Sequence, residues 1–160
     1  MLVSSTVLLY GQDNTRDTIQ KINCKKDSTQ QYAFYIPANY TPEKLAPLLI
    51  FLDPASRGDV PVGMYKSVAD EYGVIIAGSF NSKNFDGLSS VQSFTAIYND
   101  VVNQYNIDPA RVWIAGFSGA ARAAASIGMS YSEITAVIAC GAGFAGDEEV
   151  TPANGRGTMF

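Results

Sequence analysis

The chain has 160 residues, which is long enough for one well-buried domain and too short for two ordinary ones. Hydrophobic residues make up 47% of it and charged residues 16%, a composition that excludes a disordered protein. The formal net charge of −4, with 11 lysines and arginines spread along the chain, excludes a nucleic-acid backbone as the natural partner.

Side chains that bind metals are scarce. The chain contains no histidine and only two cysteines, Cys24 and Cys140, which lie far apart and outside any CxxC pair. We therefore expect no metal site, and nothing in the sequence indicates a cofactor. Two buried thiols are favoured over a disulfide, because the spacing alone shows no disulfide framework.

The chain opens on an apolar stretch, MLVSSTVLLYGQ, that closes with small and polar residues. It is similar to the apolar core and cleavage end of a secretory signal without the basic flank, and it is too short to span a bilayer. A first β-strand or a disordered tail is the alternative. We expect residues 1–12 to be the remnant of a signal peptide, the protein to be exported (periplasmic or secreted) rather than cytoplasmic, and residues 13–160 to form one domain.

The next segments alternate between predicted strands and helices. IQKINC (19–24) and QYAFYIP (31–37) predict two strands joined by a polar turn. PLLIFLDP (47–54) and GVIIAGSF (73–80) are apolar throughout, as strands covered on both faces are. Between them, VGMYKSVADEY (62–72) has apolar residues at helical spacing.

The second half of the chain continues this alternation. Apolar side chains recur at helical spacing between Leu88 and Tyr105, with Ser89 or Ser90 able to cap the start of the helix. The remaining predicted elements are a turn at NIDPAR (106–111), a strand at RVWIAGF (111–117), a helix at GAARAAASIGMSYS (119–132) and a strand at ITAVIACGAG (134–143).

Buried strands that alternate with helices predict an α/β fold, with a mostly parallel sheet in a three-layer α/β/α sandwich. We expect 47–53, 73–79, 111–117 and 134–140 to be parallel neighbours, with 31–37 antiparallel to them. The last strand then stands at the sheet edge or without its neighbour, and an uncovered apolar edge is a liability. The pattern therefore indicates the first part of a larger domain.

A serine, Ser118, stands at the join between a predicted strand and a predicted helix. The surrounding GFSGA matches the pattern G-x-S-x-G except for Ala120 at the last position. Small residues are needed there because a turn tight enough to expose the hydroxyl crowds the positions two before and two after it. If this turn is a nucleophile elbow, the φ angle of Ser118 is positive. A serine that caps an ordinary helix start is the alternative, with φ in the β region.

The segments YAFYIP, PLLIFLDPASRG and NIDPARVWIAGFSGAAR together resemble the α/β-hydrolase superfamily, in particular its small esterases akin to feruloyl esterases and polyhydroxybutyrate-depolymerase-like proteins. The resemblance covers only the N-terminal part of that fold, without the C-terminal strands that carry the acid and the histidine. It implies a serine hydrolase of carboxylic esters in which Ser118 is the nucleophile. It also implies that the N–H groups of Ala55 and Gly119 form the oxyanion hole, and that no cofactor is needed.

One departure from this family lies after the strand 47–53. The family usually has His-Gly there, and this chain has Asp53 and Pro54. Pro54 removes no donor that is needed, since the oxyanion N–H comes from Ala55. A carboxylate near an oxyanion hole opposes the developing negative charge. We expect Asp53 to be turned away and paired with Arg57.

Polar residues for substrate binding are expected in the loop after the strand 73–79. Asn81, Lys83 and Asn84 lie there, and ligands gather at the carboxyl ends of strands in an open α/β sheet. Ordinary loop residues are the alternative. Arg122, one turn after Ser118, is expected to form a structural salt bridge rather than to contact substrate.

Two functional classes stay open. The first is a serine hydrolase that acts on a small-molecule or polysaccharide-linked ester, with its histidine in sequence outside this chain. The second is a catalytically inactive pseudo-hydrolase or binding module, which the absence of histidine favours if the chain is complete. A nucleotide-binding protein is disfavoured, because no strand-to-helix turn carries GxGxxG or a phosphate-loop lysine. The sequence does not determine the oligomeric state.

Overall fold

The fold is that of a computed structural model, which describes residues 16–142 and the backbone of residues 158–159. The strands in these parts of the chain are β1 (Gln20–Asn23), β2 (Gln31–Tyr35), β3 (Ala46–Leu52), β4 (Ile75–Ser79), β5 (Ile107–Phe117), β6 (Ala136–Cys140) and β7 (Thr158–Met159). The helices are α1 (Asp59–Met64), α2 (Lys66–Tyr72), α3 (Gly87–Val102) and α4 (Gly119–Ser130). The signal-peptide remnant expected at residues 1–12 lies outside the described residues.

The strands form one mixed sheet in the order β1-β2-β4-β3-β5-β6-β7. The pairs β1–β2 and β2–β4 are antiparallel, and all other neighbours are parallel. This confirms the prediction of four parallel neighbours with residues 31–37 antiparallel to them. The parallel strands are nearly continuous apolar runs, as strands that pack against helices are. Within the described residues, α3 and α4 pack on one face of the sheet, and α1 and α2 pack mainly on β2 and β4 at the other face.

Side chains of each strand point alternately to the two faces of the sheet. Ile50 and Ile114 belong to the larger core, which also contains Phe94 of α3 and Ala124 of α4. Their chain neighbours Phe51 and Ala115 belong to a smaller core on the opposite face, with Val62 of α1. The helices therefore lie on both sides of the sheet, in the predicted three-layer sandwich. No helix in the described part of the chain combines the length and the apolar character needed to cross a membrane.

The predicted helix 62–72 is instead two short helices, which is a correction. Tyr65 stands between α1 and α2 and leaves helical geometry, with φ −104° and ψ 9°. Its ring stacks on Phe51 with the centroids 5.1 Å apart. The apolar stripe predicted there packs only in part, since Ala69 is fully buried whereas Met64 is 70% and Tyr72 65% exposed. Helical spacing showed the periodicity but not the face that packs.

The start of α3 agrees with the prediction, but its cap is Asp86 and not Ser89 or Ser90. The Asp86 carboxylate accepts the N–H of Ser89 at 2.9 Å. The hydroxyls of Ser89 and Ser90 instead donate to the backbone carbonyl of Asp86. Aspartate is as good a cap as serine, and it stands at the position from which its side chain reaches the third helical N–H.

Two further predictions, one about residues 106–111 and one about the edge of the sheet, are also corrected. The segment 106–111, predicted as a turn, is mostly the first part of β5. It contains a bulge, because Ala46 pairs with Ile107 while Leu48 pairs with Val112. The strand β6 is not an edge strand, since β7 pairs with it in parallel.

Candidate active site

Four neighbouring strands end at the same edge of the sheet, and their loops bind one another there. The N–H of Asn84, after β4, donates to the carbonyl of Pro54, after β3, at 2.9 Å. The N–H of Ser118, after β5, donates to the carbonyl of Cys140, at the end of β6, at 2.8 Å. This edge is where ligands gather in open α/β sheets.

Ser118 stands on a strained turn. Its backbone has φ 55° and ψ −129°, and its hydroxyl makes no cap hydrogen bond to α4. The predicted positive φ is confirmed. The alternative of an ordinary helix cap is wrong, because such a serine has a β-region φ and bonds a helical N–H. A positive φ at a residue other than glycine is a strained conformation that costs on the order of 1–3 kcal/mol.

The turn is tight because small residues flank it. A Cβ atom at Gly116 would lie 2.3 Å from the carbonyl oxygen of Ala120, so only glycine fits at that position. Ala120 itself is 1% exposed, and its methyl group packs into the larger core. The departure of Ala120 from the G-x-S-x-G pattern is therefore accommodated.

The first turn of α4 supplies a hydrogen-bond donor beside Ser118. The N–H of Gly119 has no partner among the described residues, as is usual at a helix start. It lies at the positive end of the dipole of a 12-residue helix. An N–H at this position is suited to hold an oxyanion that forms at Ser118.

The second predicted oxyanion donor, the N–H of Ala55, is already used. It donates to Asp53 Oδ1 at 2.8 Å, in a turn that aspartate commonly forms with the N–H two residues on. The same oxygen accepts from the Arg57 N–H at 3.1 Å and from Arg57 Nε at 3.3 Å. The expected pairing of Asp53 with Arg57 is thus present, but the carboxylate is not turned away from the predicted oxyanion hole. Its consequence is that Ala55 does not offer its N–H to a ligand in this conformation.

The three predicted substrate-binding residues differ in where they lie. Asn81 uses both ends of its amide inside the fold, accepting from the Gln31 N–H at 2.7 Å and donating to the Thr29 carbonyl at 3.0 Å. Lys83 and Asn84 line a cavity of about 570 Å³ that also contains Ser118. The structure therefore brings Lys83 and Asn84, but not Asn81, into one cavity with the serine.

Cationic side chains flank this cavity. Lys83 Nζ lies 3.6 Å from the Asp86 carboxylate, and its side chain is 59% exposed. Arg122, which also lines the cavity, is exposed and forms no ion pair with any described carboxylate. The salt bridge expected for Arg122 is therefore not found within residues 16–142.

An apolar rim at this cavity was not anticipated from the sequence. Phe85 is fully exposed, with a positive φ of 61°, and Leu88 is 79% exposed. The only local signal is the run Asn-Phe-Asp-Gly, in which a large aromatic stands among turn residues. Its exposure depends on the tertiary course of the loop.

The two cysteines form no disulfide. Cys24 is buried, as expected, but Cys140 is exposed, which corrects the prediction of two buried thiols. Cys140 is the last residue of β6, and its carbonyl, not its thiol, bonds the Ser118 N–H. No group of three metal-binding side chains occurs among the described residues.

Comparison with known proteins places the fold. The sequence matches no protein-family model and no curated protein. Among solved structures, it is similar to a thermostable esterase (19% identity, TM-score 0.56), to LpqC, a poly(3-hydroxybutyrate) depolymerase from Bordetella parapertussis (14%, 0.59), and to an acetyl xylan esterase from Aspergillus awamori (14%, 0.60).

Each of these similarities covers 76% of this chain. The chain spans 40%, 51% and 50% of the respective neighbours, so it corresponds to about half of their length. The strand order, the parallel core of the sheet and the turn at Ser118 all lie within the described residues. Over those residues, this chain has the α/β-hydrolase fold.

Proposed function

We propose that the chain carries the nucleophile of a serine hydrolase of carboxylic esters, and that Ser118 is this nucleophile. The observation that carries the proposal is the backbone of Ser118, held at φ 55° without a cap bond from its hydroxyl. Strain of this kind persists only where the surrounding structure maintains it, and it clusters at active sites. The neighbours described as an esterase, a depolymerase and an acetyl xylan esterase support esters as the substrate class.

In the proposed reaction, Ser118 Oγ forms a bond to the carbonyl carbon of the ester. The carbonyl oxygen takes the π electrons as a negative charge, and the N–H of Gly119 donates to it. The proton on Oγ passes to a base. The C–O bond to the alcohol then breaks, the alcohol leaves with a proton, and water hydrolyses the acyl-serine.

The base is the part of this reaction that the 160 residues do not supply, since they contain no histidine. Loss of a triad member lowers kcat by roughly 10⁴- to 10⁶-fold in serine hydrolases. We therefore propose that the base comes from outside these residues. The isolated chain then reacts at Ser118 only slowly, unless a small base is added.

The cavity supports an ester with both an apolar and a polar part. Phe85 and Leu88 offer apolar surface at its rim. The guanidinium of Arg122, which forms no ion pair within residues 16–142, lies on the same cavity. A small-molecule or polysaccharide-linked ester fits this combination.

The first test uses p-nitrophenyl acetate. We expect the 160-residue chain to hydrolyse it no faster than the Ser118→Ala variant, because a serine without its base has little advantage over water. Turnover that depends on Ser118 would mean that another group in this chain acts as the base.

The second test asks whether Ser118 is a nucleophile when a base is supplied. The chain is incubated with diethyl p-nitrophenyl phosphate and excess imidazole. Ser118 Oγ bonds to phosphorus, p-nitrophenolate leaves, and imidazole takes the proton. We expect a diethylphosphoryl adduct on Ser118 by intact mass and peptide mapping, and none on the Ser118→Ala variant. Equal modification of both proteins would overturn the proposal.

A pseudo-hydrolase that binds a ligand without turnover is the second candidate. The observation that favours it is the Ala55 N–H, which Asp53 already occupies. This candidate predicts no adduct on Ser118 even with imidazole.

A further inference from the structure

The loop after β4 packs the side chain of Asn84 against the first residue of α4. A Cβ atom built on Gly119 would lie 2.0 Å from Asn84 Oδ1 and 2.9 Å from its Cγ. Any residue other than glycine at 119 would therefore displace this amide. The backbone N–H of Asn84 donates to the Pro54 carbonyl, so the loop is also held from the side of β3.

The amide of Asn84 has an unusual hydrogen-bonding state. Oδ1 is the one buried side-chain polar atom within the described residues that has no hydrogen-bond partner. A buried acceptor without a donor destabilises a fold, and such atoms are rare in native proteins. The side chain is therefore held at this position at the expense of stability, which points to a role beyond packing.

The electrostatics of α4 orient this amide. The helix start is the positive end of the helix dipole, which favours the carbonyl oxygen of the amide over its NH₂ group at that point. The NH₂ group is then the accessible end of the side chain. Nδ2 has no hydrogen bond to a described residue and is not enclosed as Oδ1 is, and Asn84 lines the same cavity as Ser118.

Stabilisation of an oxyanion at Ser118 needs more than one donor for full effect. The Gly119 N–H is open, whereas the Ala55 N–H is engaged by Asp53. We propose that the side-chain N–H of Asn84 is the second oxyanion donor of this site, in place of the Ala55 N–H. This inference rests on the proposed function, since it assigns a partner to the oxygen that becomes charged when Ser118 attacks.

In the reaction, the Asn84 amide gains and loses no atoms. Its N–H donates to the carbonyl oxygen as that oxygen becomes negative, or to the phosphoryl oxygen when the substrate is a phosphate triester. Loss of one such donor from an oxyanion hole lowers the rate by roughly 10²- to 10³-fold.

Asn84→Ala separates this role from packing. It removes both the donor and the unpaired acceptor, and it adds no charge beside the oxyanion. A structural role predicts that this variant is modified at the parent rate, whereas an oxyanion donor predicts a large loss of rate. Asn84→Asp is the second variant. Its carboxylate cannot donate a hydrogen bond at neutral pH and opposes the developing negative charge, so its rate should fall at least as far.

The experiment measures the rate at which diethyl p-nitrophenyl phosphate modifies Ser118 in the presence of imidazole. The proteins compared are the parent chain, Asn84→Asp, Asn84→Ala and the control Asn99→Asp. Asn99 lies exposed toward the far end of α3 and does not line the cavity, so the control makes the same charge change elsewhere. Melting temperatures are recorded for each.

We expect Asn84→Ala to slow the modification at least 100-fold, with a melting temperature no lower than that of the parent. Asn84→Asp should slow it at least as much, while Asn99→Asp keeps the parent rate. Modification of Asn84→Ala at the parent rate would overturn the role of Asn84, whatever the rate of Asn84→Asp, and leave Ser118 as the nucleophile. Absence of a Ser118 adduct on the parent chain would overturn the proposed function, and the role of Asn84 with it.

Discussion

Backbone strain in the described chain is concentrated at the edge of the sheet that carries Ser118. Four residues other than glycine have a positive φ, and three of them, Ser56, Phe85 and Ser118, follow β3, β4 and β5. Conformations of this kind are sparsely populated, and each costs on the order of 1–3 kcal/mol. Three strained residues on neighbouring loops support the proposal that this edge of the sheet binds a ligand.

Ser118→Gly tests this strain. Glycine adopts a positive φ without strain but loses more backbone entropy on folding. We expect the free energy of unfolding to stay unchanged or to rise by up to about 2 kcal/mol, measured by urea denaturation. Ser118→Ala is the matched control, because it also removes the hydroxyl but keeps the strained φ. A glycine variant less stable than the alanine variant would show that the backbone at residue 118 is not strained.

The helix α4 starts directly after the strained serine, and its contact with β5 leaves no free space. Four alanines of α4 are buried, which lets the helix backbone lie close to the sheet. The consequence for the site is that one rigid strand-to-helix turn holds both the N–H of Gly119 and the hydroxyl of Ser118. The side chain of Asn84, in the loop before α3, packs against the same turn at Gly119.

Gly116→Ala tests how closely β5 and α4 pack at this turn. The new methyl group would lie 2.3 Å from the Ala120 carbonyl oxygen, which is backbone and can move only if α4 shifts. We expect a loss of about 1–3 kcal/mol in the free energy of unfolding, as overpacking typically produces. Ala120→Gly is the companion variant. It restores the G-x-S-x-G pattern and should lose about 1–2 kcal/mol, from the preference of a helix for alanine and from the loss of a buried methyl group.

A polar network that involves no site residue joins α3 to β2 and to the loop between β1 and β2. Asp100 of α3 accepts from the Tyr32 hydroxyl at 2.7 Å and from the Lys25 N–H at 2.9 Å. Burial, and then the charge of Asp100, raise the pKa of Cys24 to about 12. Burial, and then the hydrogen bond to Asp100, also raise the pKa of Tyr32. Both groups are thus neutral in the folded protein at pH values at which the unfolded chain begins to ionise.

The free energy of unfolding should therefore fall at alkaline pH. An acid with a raised pKa in the folded state contributes its full stability below its unfolded pKa, which is 9.0 for a cysteine, and loses it as pH rises toward the folded value. We expect a flat profile from about pH 7 to about pH 9 and then a loss of roughly 1 kcal/mol per pH unit. Urea denaturation at several pH values measures it.

Two cysteine variants test which group causes the loss of stability at alkaline pH. Cys24→Ala should reduce the loss just above pH 9, leaving the part that Tyr32 contributes at higher pH. Cys140→Ser is the control, because this thiol is exposed in the folded protein. An unchanged slope in Cys24→Ala would show that another group causes the alkaline loss.

The sequence alone determined the features that depend on local pattern. The four parallel strands are apolar runs whose composition already requires cover on both faces. The turn at Ser118 was predictable because its cause is local crowding between positions 116 and 120. The pairing of Asp53 with Arg57 was also predictable, since the two residues are four apart in one turn.

Only the tertiary structure decided what depends on contacts between distant segments. Tyr65 interrupts the helix predicted at 62–72, and its ring lies on Phe51 of β3. The sequence also does not show that Asp53 occupies the Ala55 N–H, because a turn can present its carboxylate in either direction. Asn84 reaches Gly119 only because β4 and β5 end at the same edge of the sheet, on either side of β3. Periodicity and composition describe which residues are buried, whereas the donors that face Ser118 are decided by the packing of loops far apart in the chain.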